Sequence, residues 1–122
     1  MSHIVTIATE VRDPAALGDA CARLGLAAPV HETTRLFGGE ATGWCVHLPG
    51  WKYPVVCDTD NGQVRLDDYE GQWGDRQELD SLLQAYACEK AKREARRHGH
   101  SVTEQLLPDG SIRLTIFVGE GT

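Results

Sequence analysis

Cys45 and His47 stand two residues apart, and Cys57 follows in the next apolar run. A period of two puts Cys45 and His47 on one face of a strand, and a paired strand carrying Cys57 would complete a three-ligand metal site. The same trio would also set a thiolate beside a general base. Either chemistry needs a further ligand or orienting group, and no residue at a recognisable spacing supplies one. A Cys-x-His inside an apolar strand is otherwise ordinary packing with a hydrogen-bonded histidine. The four cysteines, Cys21, Cys45, Cys57 and Cys88, have no CxxC spacing and fall in runs that read as regular structure. They are expected to be small buried hydrophobes, with no metal, no cofactor and no catalytic residue assigned.

Carboxylates crowd the middle of the chain. Asp58, Asp60, Asp67, Asp68 and Glu70 would suit acid/base work or a hard cation. Asp58-Thr59-Asp60-Asn61-Gly62 glances at a calcium loop, but its glycine falls on a ligand position and no glutamate stands at the twelfth. A solvated role at hairpin ends is expected instead. Among the cations, Lys90, Arg93 and Arg97 follow Leu79, Leu83 and Tyr86 at steps of three and four, so an apolar helical stripe turns basic. With Arg96 they make a candidate anion-binding set, although nucleic acid would want stacking aromatics beside them and none is adjacent in sequence. Trp51, Tyr53, Tyr69 and Trp73 lie in or beside the least regular stretch, where an aromatic is either a core plug or an interface anchor. Trp73 reads as a plug, and Trp51 remains open between the two. With Asp67 and Asp68, these four aromatics form the candidate partner-binding set.

The elements that must position these groups are readable from periodicity. Residues 3–11 alternate with a high β-branched content and make a strand. Asp13-Pro14 then caps a short helix that buries Leu17, Ala20, Cys21 and Leu24 and stops at Gly25. Residues 33–37 and 43–48 read as strands joined through Gly38-Gly39-Glu40. Residues 53–58 and 63–67 flank Asn61-Gly62, a tight-turn dipeptide. From Glu78 a helix of about five turns carries Leu79, Leu82, Leu83 and Tyr86, with Ala87, Ala91 and Ala95 beside them, and Gly99 ends it. Residues 102–107 and 112–118 then flank Pro108-Asp109-Gly110-Ser111 as a hairpin, with Ile112, Leu114, Ile116 and Val118 facing the core.

With 122 residues, one domain with a single core is expected. The formal charge of -6 disfavours general nucleic-acid affinity, yet the sum hides a segregation. Residues 58–80 hold eight acidic side chains against Arg65 and Arg76, while residues 89–97 hold five basic ones against Glu89 and Glu94. No apolar run approaches the length of a membrane span, and the N-terminus lacks the regions of a signal peptide. A soluble, cytoplasmic protein is expected.

Met1-Ser2-His3-Ile4 leading into Thr6-Ile7, Arg12-Asp13 before Leu17, Gln84-Ala85-Tyr86-Ala87, Glu94-Ala95-Arg96-Arg97 before Gly99, and Asp109-Gly110-Ser111-Ile112-Arg113-Leu114 together carry a resemblance. The chain resembles the domain of unknown function 1257 family, which includes the hypothetical chloroplast reading frame 35 proteins of plastids and cyanobacteria. Residues 38–76 look closer to its bacterial or phage branch. The resemblance implies no catalytic residue. Because family members are encoded near AAA+ ATPases, it implies such an ATPase as a partner.

The expected architecture is α+β: a mainly antiparallel sheet of five to seven strands with two helices on one face, the long helix followed by a hairpin. The expected function is a non-enzymatic protein-interaction or adaptor module. Anion or nucleic-acid binding at the basic helix end is the alternative, and a Cys/His or carboxylate enzyme is the second. The oligomeric state is left open.

Overall fold

A computed structural model describes residues 4–69 and 71–118 of the chain. Seven strands and two helices follow one another as β1 (Val5–Ala8), α1 (Pro14–Arg23), β2 (Val30–Leu36), β3 (Gly39–Val46), β4 (Val55–Asp58), β5 (Gln63–Leu66), α2 (Arg76–Arg97), β6 (Ser101–Leu106) and β7 (Ile112–Phe117). The α+β class holds, but the strands divide into two sheets. Five form an antiparallel sheet in the order β1-β5-β4-β3-β2, and β6 and β7 pair only with each other.

The register sorts side chains by face. Val46 pairs with Val55, and Cys57 with Val64, so these residues and Leu66 form one apolar surface. Ala16, Leu17, Ala20 and Cys21 of α1 and Leu79, Leu82, Ala85 and Tyr86 of α2 bury themselves in the same cluster. Leu24, expected inside, is partly exposed. The opposite face holds a smaller cluster of Leu36, Ala41, Cys45 and Val56, with Ile4 and Tyr53 against it.

Local chemistry explains the boundaries. The Asp13 carboxylate accepts from the N–H groups of Ala15 and Ala16, and Pro14 follows it as the first helical residue. Asp75 caps α2 by accepting from Gln77 N–H, and Gly99 at φ 76° takes the left-handed position that ends it. The β2–β3 hairpin is longer and tighter than the spacing predicts, because Leu36 pairs with Gly39 and only Phe37 and Gly38 turn the chain. Between β4 and β5 the expected two-residue turn is a four-residue loop, with Asp58 and Gln63 as the last pair and only Gly62 at positive φ. Asp58 holds this loop through Asn61, and the Thr9 N–H donates to the Gly62 carbonyl at 2.7 Å.

The C-terminal hairpin is the main departure. Its turn forms where Pro108-Asp109-Gly110 predicts, but α2 spans about 33 Å and Gly99 sends the chain back along it rather than to a sheet edge. The hairpin packs on α2. Ile112 and Leu114 are therefore half-buried and Ile116 and Val118 are exposed, which corrects the expected core-facing strand. The expected 3–11 strand is shorter than its alternation predicts, Val5–Ala8, and only its first position, His3, lies outside the described residues.

Candidate functional site

Four aromatic rings meet where the strand ends and the irregular segment converge. Phe37 sits in the β2–β3 turn, Tyr53 precedes β4, and Tyr69 and Trp73 belong to the loop between β5 and α2. Tyr69 stacks on Trp73 with centroids 4.7 Å apart, Phe37 lies at 5.3 Å and Tyr53 meets the indole edge-on at 5.7 Å. Lys52 sets its ammonium 4.6 Å from the Trp73 centroid, within cation–π range. The cluster stays partly open to water: Phe37 is 58% exposed, and Tyr53, Tyr69 and Trp73 are half-buried.

Backbone and carboxylate bonds hold the loop in this shape. The Trp73 N–H donates to the Asp68 carbonyl at 2.8 Å and the Lys52 N–H to the Trp73 carbonyl at 2.8 Å. Tyr69 adopts φ 48°, alone among the described non-glycine residues in the left-handed region, a conformation that costs a tyrosine about 1 kcal/mol or more. Asp67 and Asp68, expected at the docking surface, are 1% and 3% exposed. Asp67 accepts from the Gly38 N–H at 2.9 Å, and Asp68 accepts from Arg76 Nε at 2.7 Å. Their carboxylates fix the loop rather than face solvent.

The two tryptophans take roles that sequence alone does not assign. Trp51 packs against the helix-side core, donates its indole N–H to the Asp75 carbonyl at 3.1 Å and lies over Gly74. It is the plug. Trp73, expected as the plug, is the centre of the half-open cluster. Phe37 and Lys52 were not in the candidate set, although a large aromatic beside a two-glycine turn was a readable signal for Phe37.

The basic helix end is largely paired within the chain. Lys90 bonds Glu94 at 2.9 Å and Asp13 at 3.2 Å, Arg93 bonds Asp19 at 2.6 Å, and Arg97 bonds Glu94 at 2.9 Å. Glu94 and then Asp13 raise the Lys90 pKa, and Asp19 raises that of Arg93. Asp13 caps α1 and Asp19 lies on it, so two of the four candidate anion ligands tie the helices together. Among the described residues, Arg96 forms no ion pair. Beside it, Arg23 and Lys92 share Glu89 and Glu104 in one network.

The Cys45, His47 and Cys57 arrangement does not form. Cys45 pairs with Val56, so Cys57 points to the opposite face of the sheet, and His47 is exposed while Cys45 is 2% exposed. Burial raises the thiol pKa of Cys21, Cys45 and Cys88 and pushes Cys57 up to about 12. No group of three metal-ligating side chains occurs among the described residues. The carboxylates split likewise: Asp58 and Asp60 lie at the β4–β5 loop and Asp67 and Asp68 at the other end of β5, while Glu70 lies outside the described residues.

An apolar groove of about 600 Å3 runs between residues 9–12 and the Leu83, Ala87 and Ala91 side of α2. Among the described residues, no helix is long and apolar enough to cross a membrane. Comparison with protein-family models, with curated proteins and with solved structures finds no match to this chain.

Proposed function

We propose that this chain is a non-enzymatic protein-interaction module that docks a larger protein on the Phe37, Tyr53, Tyr69 and Trp73 cluster. The observation that carries the reading is the half-open stack of four rings at loop ends, built over a left-handed Tyr69. Aromatics that bury on docking supply most of the affinity of such an interface, and strained loop conformations concentrate at sites of this kind. Asp67, Asp68 and Trp51 drop to supporting roles, because their polar groups are already engaged inside the chain. The resemblance to the domain of unknown function 1257 family makes an AAA+ ATPase the partner to test first.

Anion or nucleic-acid binding at the helix end is the weaker reading. Lys90, Arg93 and Arg97 already neutralise carboxylates of this chain, which leaves Arg96 as a single cation. An enzymatic reading through Cys45, His47 and Cys57 is weaker again, since the register turns Cys57 to the face opposite Cys45.

Co-precipitation from the native host, with the intact chain and with a Phe37→Ala, Tyr69→Ala double variant, tests the proposal. An AAA+ ATPase recovered by the intact chain and lost by at least about tenfold in the variant supports it. A folded variant that recovers the same partner at equal yield removes the cluster as the docking surface. An intact chain that recovers nothing specific removes the module reading.

A further inference from the structure

The β6–β7 hairpin is a two-stranded sheet, and two strands alone are marginal in water. Glu104 ties it to Arg23 and Lys92, and the Gln84 side chain donates to the Gly110 carbonyl at 3.1 Å. Much of its apolar surface is nonetheless uncovered: Leu106 is 74% exposed, and Ile116, Phe117 and Val118 are exposed with it. Its outer strand is also less protected than the edges of the main sheet. There β1 has only four residues and β2 carries His31, Glu32 and Arg35, whereas β7 has six residues with Arg113 as its one charge. A long edge without acid, lysine or proline is a template for another strand.

The ladder shows which groups that edge offers. The Leu107 N–H donates to the Ser111 carbonyl at 2.8 Å, which sets the phase of the hairpin. Arg113, Thr115 and Phe117 then exchange backbone bonds with Gln105, Thr103 and Ser101, so Ile112, Leu114 and Ile116 aim their backbone groups outward.

We propose that β7 pairs antiparallel with β7 of a second copy, across a two-fold axis at Thr115, into a four-stranded sheet. In this register the outward groups of Leu114 meet those of Ile116 of the second copy, and Ile112 meets Val118, so every pair on that face is apolar. On the other face Arg113 lies opposite Phe117 of the second copy in the closely spaced kind of pair, which suits a cation over an aromatic ring. Shifting the axis to Arg113 would set two guanidinium groups against each other. Shifting it to Leu114 would take Arg113 off the ring. Charge and shape therefore select one register, and the occupant they select is this chain itself. One strand pair is a small interface, so the dimer forms at micromolar concentration and above. Both copies are acidic, and added salt strengthens the association by screening their repulsion.

Sedimentation equilibrium of the intact chain tests this, with the expected result a rise from one to two chain masses as concentration increases. Thr115→Lys and Thr115→Glu are each expected to be monomeric, because like charges meet at the axis, and an equal mixture of the two is expected to dimerise. Circular dichroism checks that both remain folded. Thr115→Cys is expected to give a disulfide-linked dimer on mild oxidation, a readout that does not depend on the charged variants folding. An intact chain that stays monomeric through the micromolar range overturns the proposal. So does a dimer that survives Thr115→Lys, a mixture that stays monomeric, or a Thr115→Cys protein that does not cross-link. If the intact chain is monomeric and Ile116→Pro abolishes recovery of a host protein, the edge receives a strand from that protein and self-pairing is overturned.

Discussion

Gly74 lies directly beneath the Trp51 indole, so close that a Cβ added at position 74 would fall 2.7 Å from Cε3 and nearer still to two other ring atoms. The contact joins residues 49–53 to the start of α2. Gly74→Ala should therefore cost about 1–3 kcal/mol by forcing the ring aside. Urea denaturation is the measurement, and a midpoint equal to that of the parent would show that the indole can yield.

Tyr86 is buried on α2, and its hydroxyl accepts from the backbone N–H of Asp13 at 3.0 Å and of Arg12 at 3.1 Å. Tyr86→Phe keeps the ring and strands both donors. A loss of about 1–3 kcal/mol is expected in the same denaturation assay, with faster hydrogen exchange at Arg12 and Asp13. Unchanged exchange at these two amides would rule out the hydroxyl as their anchor.

All four thiols are buried, so a disulfide reagent at neutral pH should label none until the chain unfolds. Cys57 also predicts an alkaline limit. Its folded pKa, about 12, lies above the ordinary 9.0, so the folded chain keeps a proton that the unfolded chain releases. That stability is complete below pH 9.0 and is lost as pH rises towards about 12. Cys57→Ala should flatten this limb of the stability profile, and an unchanged limb would assign it elsewhere.

Carboxylates set the acid limit with the opposite sign. Arg23 holds the Glu104 pKa below its ordinary 4.5, while Arg93 does so for Asp19 and the Asn61 side chain for Asp58 below 3.8. Each binds fewer protons folded than unfolded, so its contribution is present above the ordinary value and lost as pH falls through the folded one. Thermal midpoints should hold to about pH 5 and drop below it. Glu104→Gln should cost under about 1 kcal/mol at neutral pH and soften the drop.

Leu82→Ala should cost about 2–5 kcal/mol, because Leu82 is wholly buried, whereas Leu106→Ala should stay within about 0.5 kcal/mol. Equal losses would mean that the hairpin is covered in solution.

Turn and cap chemistry was the legible part of this sequence. Asp13-Pro14, Gly99 and Pro108-Asp109-Gly110 each act through their own backbone preferences, and each boundary falls beside the residue that announces it. Facing was legible only where a second element was already implied. The alternation of β7 is real, but no local signal says whether a neighbour covers Ile116, which stays 46% exposed. The fate of Cys45 and Cys57 depended on the β3–β4 register, which is set by pairing rather than by either run alone. The roles of Trp51, left open, and Trp73, expected as the plug, were hidden for a similar reason. Only the approach of Gly74, distant in sequence, makes room for the Trp51 ring.

The sheet order carries a consequence for how the chain comes off the ribosome. β2 to β5 form a meander of sequence neighbours, but β1 joins at β5, with Val5 opposite Leu66. At about 5–20 residues per second, β1 is made several seconds before its partner exists. Closing that long loop is the entropically demanding event, so the four hairpin strands are expected to assemble first and β1 to add late. A strand made well before its partner would then find its place only after the meander that supplies that partner.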